Sequence, residues 1–334
     1  MERENPVPFI DRRLWIVVGK GGVGKTTLSV LLGIWAAAQG KRALVAEVDG
    51  AGRAAWLLGL QPAPVGEAKL AQANLAVMSV EGSAALAEYL RLILPVRRLL
   101  DVVFASRIYQ YFVAAAPGLK ELMTVGKIWY EAEKTDPTTG ERAWDLVIMD
   151  APATGHSLQY LGMPKAAHEV FRAGLVGRES QRLMDLLTDA RKTAVHLVTT
   201  AEEMPVNESF EMYDRLRNEL SMPLGYLVVN RLHRRRFDRT KLAELRQRSS
   251  GMSERERDLA AAVLDRALEE EGWSAIHAEN LQRLSERIPL PRLELPFIFA
   301  EEFGPSHLQT LLRAMDAQIV RGPRRLQSHG FPVG

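Results

Sequence analysis

Short apolar runs recur along the chain, each followed by a turn signal and a helical pattern. They are "LWIVVG" (14–19), "RALVAEV" (42–48), "LAVMSV" (75–80), "DLVIMD" (145–150), "AVHLVTT" (194–200), "GYLVVN" (225–230) and "RLELPF" (292–297). Most are apolar throughout instead of alternating, which suits strands covered on both faces. The pattern predicts an α/β fold: a mostly parallel sheet of about seven or eight strands wrapped by helices, with a helical subdomain.

Two segments depart from that alternation. Residues 83–135 read as two or three helices broken near Pro95 and Pro117, with apolar positions at Val96, Leu99, Leu100, Val103, Phe104, Ile108, Tyr111 and Phe112. Residues 232–290 form a charged helical excursion that opens with "LHRRRFDR" and has an N-cap at Ser253 ahead of "ERERDLAAAVLDRALEEE". No repeat or flexible linker separates them from the rest. The expectation is therefore one domain over 1–334, with helical insertions at about 83–135 and 232–290.

Composition narrows the function. At 47% apolar and 25% charged residues with a net charge of +2, the chain reads as a soluble globular protein, and nothing global points to nucleic acid or anionic membrane. Cysteine is absent, which excludes disulfides, thiolate metal sites and cysteine nucleophiles. The start "MERENPVPFIDRR" lacks the apolar core of a signal peptide, and no run approaches the ~18 apolar residues of a membrane span. The expected location is the cytoplasm, without stable membrane insertion.

The chemistry begins at "GKGGVGKTT" (19–27), which follows the first apolar run. Gly19, Gly24, Lys25 and Thr26 fit G-x-x-x-x-G-K-[ST], with an amphipathic helical pattern after them. In such a loop Gly21, Gly22, Val23 and Gly24 present backbone N–H groups to phosphates, and the helix start adds its positive dipole end. Lys25 reaches the terminal phosphates, Thr26 ligates Mg²⁺ and Thr27 completes the helix start. A carboxylate at a neighbouring strand end must act on the metal or its water shell. Asp150 follows an apolar strand directly and is the first candidate, acting on the metal through water. Asp49 and Glu47 are further candidates, and Asp49 reads equally as a turn former beside Gly50.

With these residues in place, "KGGVGKTT" resembles the deviant phosphate loop of the SIMIBI-class ATPases, whose extra lysine is here Lys20. "DLVIMDAPATGHSLQYLGMP" is similar to the switch II signature of the ArsA and Get/TRC ATPases, matching at Asp150, Thr154, Gly155, His156, Leu158, Leu161 and Pro164. "GYLVVNR" and "LPFIFAEEFG" (295–304) resemble the adenine-side elements of that family. The resemblance implies ATP/ADP and Mg²⁺ as ligands, with Asn230, Arg231 and Pro296 around the base. Lys20, Lys25, Asp49 and Asp150 would be the catalytic set, and Thr26, Asp150 and Asp49 the metal set. It also implies a dimer, a homodimer or a heterodimer with a paralogue, in which Lys20 contacts the partner's nucleotide.

Two departures shape the functional expectation. Aligning Asp49 with the family's switch I aspartate puts Trp56 where a water-positioning acid stands, and an indole offers only a donor. Without cysteine, thiolate binding of arsenite and a zinc-pinned dimer are both excluded. The expected function is a nucleotide-gated ATPase dimer that binds a hydrophobic protein client. The alternative is a low-turnover regulatory or assembly switch that works with a paralogous subunit. A ParA- or MinD-like positioning ATPase fits the phosphate loop but not the switch II stretch.

Overall fold

The computed structural model describes residues 11–93, 118–235, 238–248 and 253–320. Its centre is an eight-stranded sheet: β1 (Leu14–Gly19), β2 (Ala43–Val48), β3 (Lys69–Gln72), β4 (Leu75–Val80), β5 (Leu146–Asp150), β6 (Thr193–Thr200), β7 (Leu224–Leu232) and β8 (Arg292–Pro296). The order is β3-β4-β2-β5-β1-β6-β7-β8. Only the edge pair β3–β4 is antiparallel; every other neighbour runs parallel. The apolar runs thus became the strands expected of them. The exception in kind is β3, whose half-exposed "KLAQ" carries no such run.

Helices close both faces. They are α1 (Lys25–Ala38), α2 (Arg53–Leu57), α3 (Gly82–Ile93), α4 (Leu119–Glu133), α5 (Thr154–Val170), α6 (Gly174–Leu187), α7 (Glu203–Asp214), α8 (Arg239–Arg248), α9 (Glu254–Arg287) and α10 (Pro305–Val320). Strand alternation sorts β1 between two cores. Leu14, Ile16 and Val18 pack with α4, α5, α6 and α7, whereas Trp15 and Val17 pack with α1, α2 and α10. Since β1 lies between β5 and β6, with β2 beyond β5, connections from the sheet's centre leave in opposite directions. The crevice outside the carboxyl ends of those strands is where open α/β sheets place ligands.

The helical excursion 232–290 contains α8 and α9. Ser253 caps α9 as its sequence predicts: Glu256 reaches back to accept the Ser253 N–H at 2.9 Å. The far half of α9 is anchored to the sheet by Asn280, whose amide donates to the Ala201 carbonyl at 2.9 Å. In 83–135, α3 and α4 are helical as expected. The apolar positions from Val96 to Phe112 lie outside the described residues.

His196 is buried in β6 against Trp15 and Tyr226, and its Nδ1 accepts the Tyr226 N–H at 3.1 Å. Burial first, and the Arg12 charge second, push its pKa down to about 3, so the folded protein holds it neutral. The unfolded chain binds a proton below about pH 6.5 that the folded chain refuses. Stability from this site is complete above that pH and declines on acidification toward 3, by up to about 1.4 kcal/mol per pH unit. In urea unfolding at pH 5 and pH 7.5, His196→Asn, which keeps an acceptor for the Tyr226 N–H, should be less stable overall yet show a smaller loss between the two pH values. An unchanged loss would contradict this assignment.

Candidate nucleotide site

The loop between β1 and α1 is shaped by close approaches. A Cβ on Gly19 would lie 2.2 Å from the Val198 carbonyl oxygen of β6. At Gly24 the backbone is left-handed, with φ 98°, and a Cβ would lie 2.2 Å from Asn230 Nδ2. Only glycine fits both places. Gly24 is also the N-cap of α1, which has no side-chain cap and no acid in its first turn. Its leading N–H groups are therefore presented to the loop, a ready anion site.

Lys25 folds across the loop and donates to the Lys20 carbonyl at 3.0 Å, and burial lowers its pKa against the opposing charge of Asp150. Asp150 ends β5 with 4% of its surface exposed. It is hydrogen-bonded by the Thr26 hydroxyl, and Ser29 Oγ stands 3.1 Å from its Oδ1. Burial, above the other influences, pushes the Asp150 pKa up to about 6. Thr26, Ser29, Lys25 and Asp150 thus form one hydrogen-bonded and electrostatic cluster under the loop.

The segments that follow β2 and β5 meet beside it. Glu47 pairs in register with Asp150, and its carboxylate accepts the N–H groups of Arg53 and Ala54 at 3.1 and 3.0 Å. It therefore caps α2, the helix that carries Trp56. Trp56 itself is 51% exposed and turned outward. Asp49 has a left-handed backbone with φ 50°, and its Oδ2 accepts the Tyr160 hydroxyl of α5. Ala153, just before α5, lies 3.7 Å from where a Cβ on Gly21 would be, so the turn after β5 borders the loop.

The base-side candidates gather at the ends of β7 and β8. Asn230 is buried and its Nδ2 donates to the Val23 carbonyl at 2.8 Å, tying β7 to the phosphate loop. Arg231 is exposed and left-handed at φ 53°. Pro296 pairs with Leu232, and the Phe297 N–H donates to the Leu232 carbonyl at 3.1 Å. Lys20, the extra lysine, pairs within its own chain: its Nζ lies 2.7 Å from Glu208 of α7.

Sequence reasoning missed Ser29, Tyr160 and Glu208. Ser29 lies one helical turn beyond Lys25, so the same face could have been read. Tyr160 and Glu208 meet their partners only through tertiary packing. Among the described residues no group of three or more His, Asp or Glu side chains could hold a metal ion by itself, and no helix is long and apolar enough to cross a membrane. A Mg²⁺ ion held jointly with phosphate needs fewer protein ligands, and a hydroxyl with one carboxylate is that donor set.

Away from the loop, α3, α4, α5 and α6 wall a groove of about 800 Å³ lined by Leu86, Tyr89, Trp129, Met163, Phe171 and Leu175 among others. Among its lining residues, Val170, Phe171 and Leu175 are 72%, 52% and 46% exposed.

A glycine-rich loop between a central parallel strand and an uncapped helix, with an aspartate ending the adjacent strand, defines a P-loop NTPase. The family model for anion-transporting ATPases of the ArsA type matches residues 12–179, and the chain belongs to that family of ATPases. It is 31% identical over 309 residues to the ATPase BagA of Mycobacterium tuberculosis, covering 86% of this chain and 87% of that one. It is also 25% identical over 227 residues to the arsenical pump-driving ATPase of Escherichia coli, covering 64% of this chain and 38% of the relative. With the ATPase ASNA1 homolog 1 of Paramecium tetraurelia it shares 28% identity over 156 residues, 45% of this chain and 43% of that one.

Gly24→Ala should weaken Mg–ATP binding at least about tenfold in calorimetric titration, because its Cβ meets Asn230 and its φ is strained for an L side chain. Gly40→Ala, at another left-handed glycine with nothing within 4 Å of the added Cβ, should leave affinity unchanged. Equal behaviour of the two variants would contradict the loop assignment.

Proposed function

We propose that this chain binds ATP at the Gly19–Thr27 loop and hydrolyses it within a dimer, coupling nucleotide state to the binding of a hydrophobic protein client in the groove walled by α3 to α6. The observation that carries the reading is the cluster of Lys25, Thr26, Ser29 and Asp150 beneath an uncapped helix N-terminus. Backbone N–H groups from Gly21 to Thr27 would bind the phosphates, and Lys25 would leave the Lys20 carbonyl for the terminal phosphate oxygens. Mg²⁺, when bound, supplies neutralising charge between the phosphates, held by Thr26 with Asp150 and Asp49 toward its water shell. Asn230, Arg231 and Pro296, converging at the β7 and β8 ends, would frame the base.

Lys20 is the element that calls for a second subunit. A lysine added to a loop that already has Lys25 gives a cation with no duty to its own nucleotide, and trans contact with charge developing at the transferred phosphate gives it one. Release from Glu208 is then part of dimer closure, a modest cost because the pair is partly exposed to solvent. A homodimer and a heterodimer with a paralogue both satisfy this. The exposed, non-acidic Trp56 supports the second reading, a slow switch whose water-positioning group comes from a paralogous subunit.

Lys25→Ala should reduce Mg–ATP affinity at least about tenfold. Lys20→Ala should keep affinity within about twofold while lowering the ATP-dependent dimer fraction in light scattering and the rate of phosphate release. Loss of binding in Lys20→Ala would overturn the trans role. Brisk phosphate release by the purified chain alone would overturn the slow-switch reading.

A further inference from the structure

Tyr160 stands between the nucleotide site and the apolar groove. It belongs to α5, buried at 7% exposure, and its hydroxyl donates to Asp49 Oδ2 at the turn after β2. Burial and the Asp49 charge both raise its pKa, so the phenol stays a donor at physiological pH. Thr124 of α4 is fully buried, with its Oγ donating to the Lys120 carbonyl at 2.9 Å.

Helices α4 and α5 are walls of the groove. From α5 come Met163, Ala166 and Val170, and from α4 come Leu122, Gly126 and Trp129. The two helices share one core and are bonded directly, Gln159 of α5 donating to Glu121 Oε1 of α4 at 3.2 Å. A shift of α5 is therefore passed to α4 instead of being absorbed by loose packing. At the carboxyl end of β2, Asp49 follows the strand in which Glu47 pairs with Asp150, so the acceptor for Tyr160 belongs to the phosphate side of the molecule.

The geometry points to Tyr160 as a positioning residue whose hydrogen bond to Asp49 couples the occupancy of the nucleotide site to the width of the groove. The inference rests on the reading above that Asp49 faces the bound nucleotide. Asp49 Oδ2 is engaged by Tyr160, so a ligand that draws the carboxylate toward the phosphate loop weakens that bond, and α5 loses an anchor at the carboxyl end of β2. By reciprocity, whatever holds the α4–α5 wall in one arrangement biases nucleotide affinity by the same factor.

Tyr160→Phe deletes one hydroxyl and keeps the ring in its packing. The test measures three quantities on the full chain: thermal midpoint, Mg–ATP affinity, and affinity for an environment-sensitive apolar dye with and without Mg–ATP. In the wild type, Mg–ATP should change dye affinity by about fivefold, within the ordinary range of coupled sites. In Tyr160→Phe that change should shrink to less than about twofold, with Mg–ATP affinity equal or tighter and the fold retained. Asp49→Asn should lose the dye response as well, and the double variant should lose no more than either single one. A full dye response in Tyr160→Phe would overturn this inference alone, and so would a wild type that binds Mg–ATP without any dye response. Failure of the wild type to bind Mg–ATP would overturn the reading of the site itself.

Discussion

The site is organised around a carboxylate taken out of water. Asp150 ends a central strand at 4% exposure, and its burial pushes its pKa up to about 6, at a cost to the folded state at neutral pH. That cost is limited by the Thr26 and Ser29 hydroxyls and by the Lys25 charge. These partners come from α1, so the same few contacts that tolerate the buried acid also fix the loop between β1 and α1. A bound cation would favour the ionised form.

The surrounding loops carry further local strain in the same region. Among the described residues, Asp49 and Arg231 are two of the four non-glycine residues with left-handed backbones, and both stand at strand ends that face the crevice. Such conformations persist only where the neighbourhood over-determines them. Here the determinants are visible: Tyr160 holds Asp49, while Arg231 lies between Asn230, bonded to the phosphate loop, and Leu232, paired with the start of the β8 exit. The phosphate loop and the segments following β2, β5 and β7 are thus joined by hydrogen bonds at the carboxyl ends of the strands.

Much of this was legible in the sequence, and the failures have a common cause. Central strands are buried on both faces, so their apolar runs stand out, whereas β3 is an edge strand with alternating exposure and a polar "KLAQ". The phosphate loop was legible because its glycines and Lys25 fall within nine consecutive residues, although the contacts that require glycine at Gly19 and Gly24 are made by Val198 and Asn230, far away in sequence. Glu47 shows the limit. Its sequence position offers a carboxylate next to Asp49, but only the folded chain reveals that its oxygens are spent on the N–H groups that open α2. The same holds for Lys20, whose ion partner Glu208 is remote in sequence, and for Tyr160, whose spacing in α5 says that it is buried but not what its hydroxyl meets. Local chemistry can be read from a sequence; pairings made by packing cannot.

The central claim is that events at the phosphate loop reach the helices that wall the apolar groove. Hydrogen–deuterium exchange on the wild-type chain, without ligand, with Mg–ADP and with Mg²⁺ plus a non-hydrolysable ATP analogue, tests it most directly. The account predicts protection of residues 19–31 with either nucleotide, and a change in α4 and α5 that appears only with the triphosphate. Protection confined to the loop, with α4 and α5 exchanging identically in all three states, would contradict it.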